Sequence, residues 1–395
     1  MSSELTAPPQ VEAPSVHRSD IQGLRAVAVI IVVLAHAGVR GMAGGFVGVD
    51  VFFVISGFVI TGLLHRQAAR HVWRNLGTFY SRRIRRIIPA ATLTLVTTVI
   101  AGWGLLGTAF PTSLLADIRW ASLFGSNFRL IATSSDYFIP GLSPSLITHF
   151  WSLAVEEQFY FCFPIIVFSL TWLAPKRFRT IGLGTVIALI IVASAWWSWR
   201  SGLSDHTVVA YYSPLTRLFE LSLGGLVALT PSTWLSRYRW IATGLSMLGV
   251  LGLAFSVWRM ESVATFPGIL AWWPCGATAI LLYAGAHNYK YGLSALLSWR
   301  PVRYIGDVSY SFYLFHFAWI QIPIQMVHPL HGAWVVPMSI GGAFLCAVAS
   351  YHLLENPIRR SQRLDRDGWL VLLMLAVCIA LTWNATYLVQ FLLNR

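Results

Sequence analysis

Eleven stretches of the chain are predominantly apolar over about 20 residues, the length that an α-helix needs to cross the hydrocarbon core of a bilayer. Of the 395 residues, 56% are hydrophobic and only 11% are charged, so the chain is more apolar than soluble globular domains. The sequence therefore predicts an all-α, polytopic membrane helix bundle of about 11 transmembrane helices. The predicted spans are residues 21–39, 46–65, 87–107, 148–173, 179–199, 212–230, 239–257, 267–286, 304–326, 333–353 and 369–390.

The basic residues indicate the orientation of these spans. A formal net charge of +13 would fit a nucleic-acid-binding protein, but only two of the 28 basic residues are lysines. Most of the arginines lie in short connections between the apolar stretches, and assigning these connections alternately to two sides places 20 basic residues on one side and six on the other. By the positive-inside rule, we expect a cytoplasmic amino terminus, an outer carboxyl terminus and no nucleic-acid partner.

Composition also divides the chain. Residues 1–19 are polar and proline-rich, which predicts a disordered cytoplasmic tail; residues 20–360 form the main transmembrane domain, and residues 361–395 a cytoplasmic loop and a final transmembrane helix. A cleaved signal peptide is the alternative for the first span, because residues 35–37 resemble a cleavage site, but the long, weakly basic leader argues against it. The four cysteines lie in apolar stretches without paired or metal-like spacing, so we expect no disulfide and no metal site.

Two ionisable residues in the first span, Arg25 and His36, are candidates for a functional site. They are eleven residues apart, which places them within about 20° of one helix face and about 16 Å apart along the axis. Charged groups at such depth usually face the interior of a bundle or a wet cavity. Asp50, in the second span, reaches a similar depth from the outer side, and a histidine beside a carboxylate is typical of a general base. A purely structural, hydrogen-bonded role for Arg25 and His36 is the alternative.

A cluster of arginines at the cytoplasmic end of the third span forms the segment FYSRRIRRIIPA, residues 79–90. There is no acidic residue between positions 66 and 86 to balance it. Guanidinium groups match phosphate oxygens in geometry and charge, so we predict that Arg82, Arg83 and Arg86 bind a phosphorylated ligand. Anchoring to lipid headgroups is the alternative for each of them.

Further polar residues lie deep within the other spans. Glu156 and Glu157 fall near the middle of the fourth span, where at least one of them must be paired or functional. For the other polar residues we expect structural roles only. Arg217 and Glu220 lie one helical turn apart and should form an ion pair. His316 should form an interhelical hydrogen bond, and Glu355 should anchor the end of a helix.

Eight sequence blocks, in order from residue 20 to about residue 360, make the chain resemble the acyltransferase-3 family of integral membrane acyltransferases, which O-acetylates bacterial surface glycans. The blocks are QGLRAVAVIIVVLAH, GGFVGVDVFFVISGF, FYSRRIRRIIPA, DYF at 136–138, HFWSLAVEEQFY, TRLFELSLGGLVAL, GDVSYSFYLFHF and YHLLENPIRR. The resemblance implies a cytoplasmic acyl-CoA donor and a catalytic histidine at His36, preceded by Arg25 in an Arg-x10-His pattern. It also implies an Arg-x-x-Arg element at Arg83 and Arg86.

Taken together, these features predict a bacterial inner-membrane O-acyltransferase. We expect it to move an acyl group, most simply acetyl from acetyl-CoA, to a hydroxyl of an extracytoplasmic envelope glycan or glycolipid, with membrane lipids as its surroundings. Arg82, Arg83, Arg86 and Arg25 would hold the donor, and Glu156 would support acceptor binding or proton handling. His36, oriented by Asp50, would act either as a general base or as a transient acyl carrier.

Two questions about this function stay open in the sequence. Relatives with these blocks often continue into an extracytoplasmic SGNH-type esterase domain, whereas this chain stops at Arg395, so we expect either direct transfer or hand-over to a separate extracytoplasmic transferase. The alternative function is a proton-coupled transporter or flippase, with Arg25, His36, Asp50 and Glu156 as a proton relay. Transporters often contain internal repeats and paired interrupted helices, and neither is visible here. A purely structural scaffold would not explain so many intramembrane charges.

Overall fold

A computed structural model describes residues 18–67, 72–133, 144–173, 175–203, 207–231, 235, 237–260, 266–288, 293–326 and 332–395. The predicted tail, residues 1–19, lies outside these ranges apart from Arg18 and Ser19, and so does the block DYF at residues 136–138. The structural statements that follow concern the described residues.

The described chain is helical, and each of the eleven predicted spans coincides with a helix of at least 16 residues. These helices are α1 (Ser19–His36), α2 (Gly48–Gln67), α3 (Val72–Leu106), α4 (Phe150–Leu173), α5 (Arg179–Gly202), α6 (Pro214–Leu229), α7 (Arg239–Arg259), α8 (Trp272–Asn288), α9 (Arg300–Gln325), α10 (Val335–Ser350) and α11 (Gly368–Leu393). The connection between α3 and α4 contains two short helices, Ser113–Ser122 and Ser126–Ala132. The predicted all-α membrane bundle is confirmed.

Eight of the described helical segments are long and apolar enough to cross a membrane. The remaining three predicted spans match α6, α8 and α9. Helices α6 and α8 are shorter, with 16 and 17 residues, and α9 has 26 residues but is more polar. Polar side chains in α9 are consistent with a helix that faces other helices more than lipid. The total of eleven crossings and the cytoplasmic position of the amino terminus stay predictions.

The first helix packs along α9. Near the start of α1, a Cβ added to Gly306 of α9 would lie 1.9 Å from the carbonyl oxygen of Gln22, so this approach requires glycine. At the far end of α1, His36 lies within hydrogen-bonding distance of His316 of α9. Because both contacts follow the chain in the same order, α1 and α9 run in the same direction, as the predicted alternation of spans requires.

A second close approach joins α2 to α6. A Cβ on Gly57 would lie 1.7 Å from the carbonyl oxygen of Leu221, and a Cβ on Gly224 would lie 1.9 Å from that of Val54. The two backbones therefore touch, as glycines allow in membrane helix pairs. This contact brings the beginning of α6 alongside the beginning of α2.

The chain between α10 and α11 folds back over the amino-terminal half of α3. It forms a π-helical turn, Tyr351–Glu355, followed by two short helices, Asn356–Arg359 and Gln362–Arg366. Such π-helical turns are frequent at functional sites. The last helix, α11, then packs against α3.

Candidate functional site

A cavity of about 600 Å³, which we term the arginine vestibule, lies between α3 and the segment after α10. Seven arginines are among its lining residues, four from α3 and three from the segment after α10: Arg82, Arg83, Arg85, Arg86, Arg359, Arg360 and Arg366. Asp365 is the one carboxylate among the described residues of the lining. So much positive charge in one concave surface suits a ligand with several phosphate groups.

The arginines of α3 differ in their surroundings. Arg85 is buried, and it donates hydrogen bonds to the Asp365 carboxylate at 2.6 Å and to the Ser361 carbonyl at 3.1 Å. It thereby ties α3 to the segment after α10. Arg82 and Arg86, by contrast, form no ion pair or hydrogen bond with any described residue. Two of the three predicted phosphate ligands, Arg82 and Arg86, thus have guanidinium groups that stay available in the cavity, whereas the guanidinium of Arg83 lies over the ring of Tyr160 at 4.3 Å.

A second cavity of about 160 Å³, which we term the inner cavity, adjoins the vestibule, because Arg83 and Arg86 line both. Arg25 of α1 also lines it and has no ion-pair or hydrogen-bond partner among the described residues. Three predicted donor-binding arginines therefore converge on one cavity, and Arg82 lies in the adjoining vestibule. An intramembrane guanidinium without a protein partner is typical of a ligand site.

Glu156 and Glu157 of α4 form part of the wall of the inner cavity. The Glu156 carboxylate accepts short hydrogen bonds from Ser56 of α2 and from Tyr160, one turn further along α4. Glu156 is thus hydrogen-bonded within the protein, which is consistent with the prediction that at least one of the two glutamates is paired or functional. Glu157 faces the same cavity and has no hydrogen bond with a described residue.

Three imidazole rings meet at the far end of α1 and form what we term the histidine cluster: His36, His149 and His316. The ring of His316 lies 5.1 Å from the ring of His36 and 5.1 Å from that of His149. His36 Nδ1 lies 2.9 Å from His316 Nε2. His149 and His316 are 1% and 0% exposed, whereas His36 is only partly buried. The expected interhelical hydrogen bond of His316 is confirmed, and its partner is the predicted catalytic residue.

Tyr313 of α9 separates the inner cavity from the histidine cluster. Its hydroxyl lies 2.7 Å from that of Ser152, and both residues line the cavity. Its ring lies 5.3 Å from the ring of His316 on the other side. His36 is not among the described residues of the cavity lining. The polar route that starts at Arg25 therefore ends at Tyr313 and Ser152 in this structure, one side chain short of the histidine cluster.

The expected contact between Asp50 and His36 is wrong. Both side chains are described and no hydrogen bond joins them; Asp50 instead accepts from Arg217 Nη1 at 3.0 Å, and Glu220 accepts from the same atom at 2.9 Å. The reason is the close contact of α2 with α6, which brings Arg217 to Asp50. All three side chains are at most 1% exposed, and a buried carboxylate without a cationic partner is strongly unfavourable. The predicted Arg217–Glu220 pair is confirmed.

Several residues of this site were not predicted as functional. Arg359 and Arg360 follow a span that is remote from α3 in sequence, and only the fold places them in the vestibule. His149, Ser152 and Tyr313 lie inside two of the recognised sequence blocks. Their polarity at membrane depth was the signal that could have identified them.

The buried ion triad gives a test of the role of Asp50. Replacing Arg217 by methionine leaves the carboxylates of Asp50 and Glu220 buried without a cation, which destabilises proteins by about 3–5 kcal/mol. We expect a marked fall in the melting temperature of the detergent-solubilised protein. The matched control is Arg129→Met, because its ion pair with Asp117 is partly exposed and such pairs contribute about 0–1 kcal/mol. Equal melting temperatures for the two variants would contradict a structural role for the triad.

The chain matches the acyltransferase domain family, acyltransferase-3, over residues 18–352. It belongs to this family. The match extends from α1 into the π-helical turn, so it includes every described residue that lines the inner cavity, and it ends before the part of the vestibule lining at residues 359–366. No solved structure matches the chain significantly.

Curated relatives are bacterial. The chain is 34% identical over 359 residues to YrhL of Bacillus subtilis, provisionally named a peptidoglycan O-acetyltransferase, with 86% of this chain and 54% of the relative covered. It is 30% identical over 355 residues to the peptidoglycan O-acetyltransferase OatA of Listeria monocytogenes, covering 86% of this chain and 56% of the relative. The chain thus spans little more than half the length of these relatives.

Proposed function

We propose that the protein is a membrane O-acetyltransferase that moves an acetyl group from cytoplasmic acetyl-CoA to a hydroxyl of peptidoglycan or another envelope glycan outside a bacterial cytoplasmic membrane. The observation that carries this proposal is the position of two different sites at the two ends of α1. A cavity rich in arginine lies near its start, and a cluster of histidines lies at its end. Family membership supports acyl transfer as the reaction.

The arginine vestibule suits the donor. Coenzyme A carries a 3′-phosphate and a pyrophosphate at one end, and a thioester at the end of its extended pantetheine arm. Arg82, Arg83 and Arg86 would bind the phosphates as bidentate ligands, together with Arg359 and Arg360. The pantetheine arm would enter the inner cavity past Arg25. The distance of about 16 Å from Arg25 to His36 along α1 is one that such an arm can cover.

The partly exposed His36 suits the acceptor. A neutral imidazole at this position would take the proton from an acceptor hydroxyl while the hydroxyl oxygen attacks the thioester carbonyl carbon. The carbon–sulfur bond then breaks, and the CoA thiolate takes up the proton. A transient acyl-imidazole on His36 would give the same products by two steps. A glycan acceptor is supported by the peptidoglycan O-acetyltransferase names of two relatives.

The proposed function can be tested by mass spectrometry of envelope glycans from cells with and without the gene. We expect the loss of ester-linked acetyl groups when the gene is deleted and their return when it is restored. A glycan fraction that keeps its acetyl groups, with a transported envelope precursor accumulating instead, would favour the transporter or flippase.

His36 gives the sharpest residue-level expectation. The variant His36→Ala should lose acetyl transfer by about 10²-fold or more, the range for general acid–base groups, while its affinity for acetyl-CoA is retained, because the donor is held mainly in the arginine vestibule. The control is His352→Ala, since His352 is exposed and contacts Tyr304 away from both cavities. Activity and donor affinity are measured separately on purified protein. A fully active His36→Ala variant would rule out a catalytic role.

The role of Arg83 and Arg86 in donor binding is tested by substitutions that keep the positive charge of the side chain but change its shape. Lysine preserves the positive charge that topology and lipid anchoring require, but it lacks the guanidinium fork. We expect Arg83→Lys combined with Arg86→Lys to weaken acetyl-CoA binding by about tenfold or more, as for the loss of about 1.4 kcal/mol.

The matched control for this pair is Arg300→Lys combined with Arg303→Lys. These arginines have the same spacing, are exposed at the start of α9, and line neither cavity. Binding is measured by titration calorimetry in detergent. Equal affinities for the two double variants would leave lipid anchoring as the role of Arg83 and Arg86.

A further inference from the structure

His316 is held by the backbone of its own helix. Its Nδ1 lies 2.6 Å from the carbonyl oxygen of Tyr313, one turn earlier in α9. A carbonyl oxygen can only accept a hydrogen bond, so the proton of the ring is on Nδ1. The side chain is 0% exposed, and the hydrogen bonds and ion pairs described for it include no carboxylate. The ring is therefore a neutral imidazole, and its Nε2 carries a lone pair.

This lone pair determines the state of His36. His316 Nε2 lies 2.9 Å from His36 Nδ1, and because Nε2 can only accept, His36 Nδ1 must donate. A neutral histidine that carries its proton on Nδ1 has its lone pair on Nε2. Two hydrogen bonds thus point the same way: His36 Nδ1 donates to His316 Nε2, and His316 Nδ1 donates to the carbonyl oxygen of Tyr313.

We propose that His316 is a positioning residue that fixes the tautomer and ring orientation of His36, so that Nε2 of His36 is the basic nitrogen in acyl transfer. This inference rests on the proposed function. As Nε2 takes the proton of the acceptor hydroxyl, the oxygen bonds to the thioester carbon and the CoA sulfur leaves. The positive charge that develops on His36 is stabilised by its Nδ1–H bond to His316, and the thiolate finally removes the proton from Nε2.

The chain of hydrogen bonds fills the role that sequence spacing had given to Asp50. Asp50 is engaged by Arg217, whereas His316 contacts His36 directly. A neutral partner also suits the site, because an unpaired buried carboxylate would be unfavourable. The helix pair also has a contact apart from this bond, since the backbones of α1 and α9 approach closely at Gly306 and Gln22. The proposed contribution of His316 is therefore to place one acceptor atom, Nε2, beside Nδ1 of His36.

Two amide variants separate this role from packing. In His316→Gln, the side-chain carbonyl oxygen reaches the position of Nε2 and can accept from His36. In His316→Asn, the shorter amide reaches only the position of Nδ1, so it keeps the bond to the Tyr313 carbonyl and loses the one to His36. We expect His316→Gln to keep kcat within about tenfold of the original protein and His316→Asn to lose about 10²-fold. The KM for acetyl-CoA should be unchanged in both.

Both variants must first show the melting temperature and acetyl-CoA affinity of the original protein. If their kcat values are then equal, whether both are high or both are low, the positioning role is overturned. A second measurement does not require any variant at position 316. In protein labelled with ¹⁵N-histidine, and assigned by comparison with His36→Ala, the nitrogen shifts should show a protonated Nδ1 and an unprotonated Nε2 for His36. The opposite tautomer would also overturn the proposal.

These outcomes are distinct from a failure of the proposed function. If the original protein transfers no acetyl group under any condition, the function is wrong, whatever the tautomer of His36. If it transfers acetyl groups and His36→Ala does not, the function stands and the two amide variants decide the role of His316.

Discussion

Polar groups inside a bilayer find no water, so each must be satisfied by the protein, by a ligand or by a wet cavity. This constraint divides the intramembrane residues of this chain into two classes. Asp50 and Glu220 both pair with Arg217, and all three side chains are buried away from solvent. Arg25 and Arg86, in contrast, face a cavity without a partner among the described residues. The first class holds helices together, and the second leaves charge for a ligand.

The sequence predicted the helices well because membrane spans are specified locally. About 20 apolar residues suffice to define a span, and all eleven stretches became helices. Arg25, Arg83 and Arg86 could also be placed in one region, since each lies near the cytoplasmic end of its predicted span. The depth of a residue along its membrane helix can therefore be predicted from the sequence.

The side chains of other helices that a residue contacts cannot be predicted in the same way. Asp50 was assigned to His36 because both reach a similar depth, yet the glycine contact between α2 and α6 selects Arg217 as its partner. His316 was expected to form an interhelical hydrogen bond, but that its partner is His36 follows only from the packing of α1 on α9. Arg359 and Arg360 enter the vestibule through a π-helical turn that no sequence pattern indicated.

The central claim is that donor and acceptor meet from opposite sides of the membrane. It is tested most directly in sealed, inverted membrane vesicles that enclose a glycan acceptor, with labelled acetyl-CoA supplied only outside, at the cytoplasmic face. The account predicts ester-linked label on the enclosed glycan, none on glycan added outside, and none with His36→Ala. Ester formed only on glycan added to the donor side would contradict it.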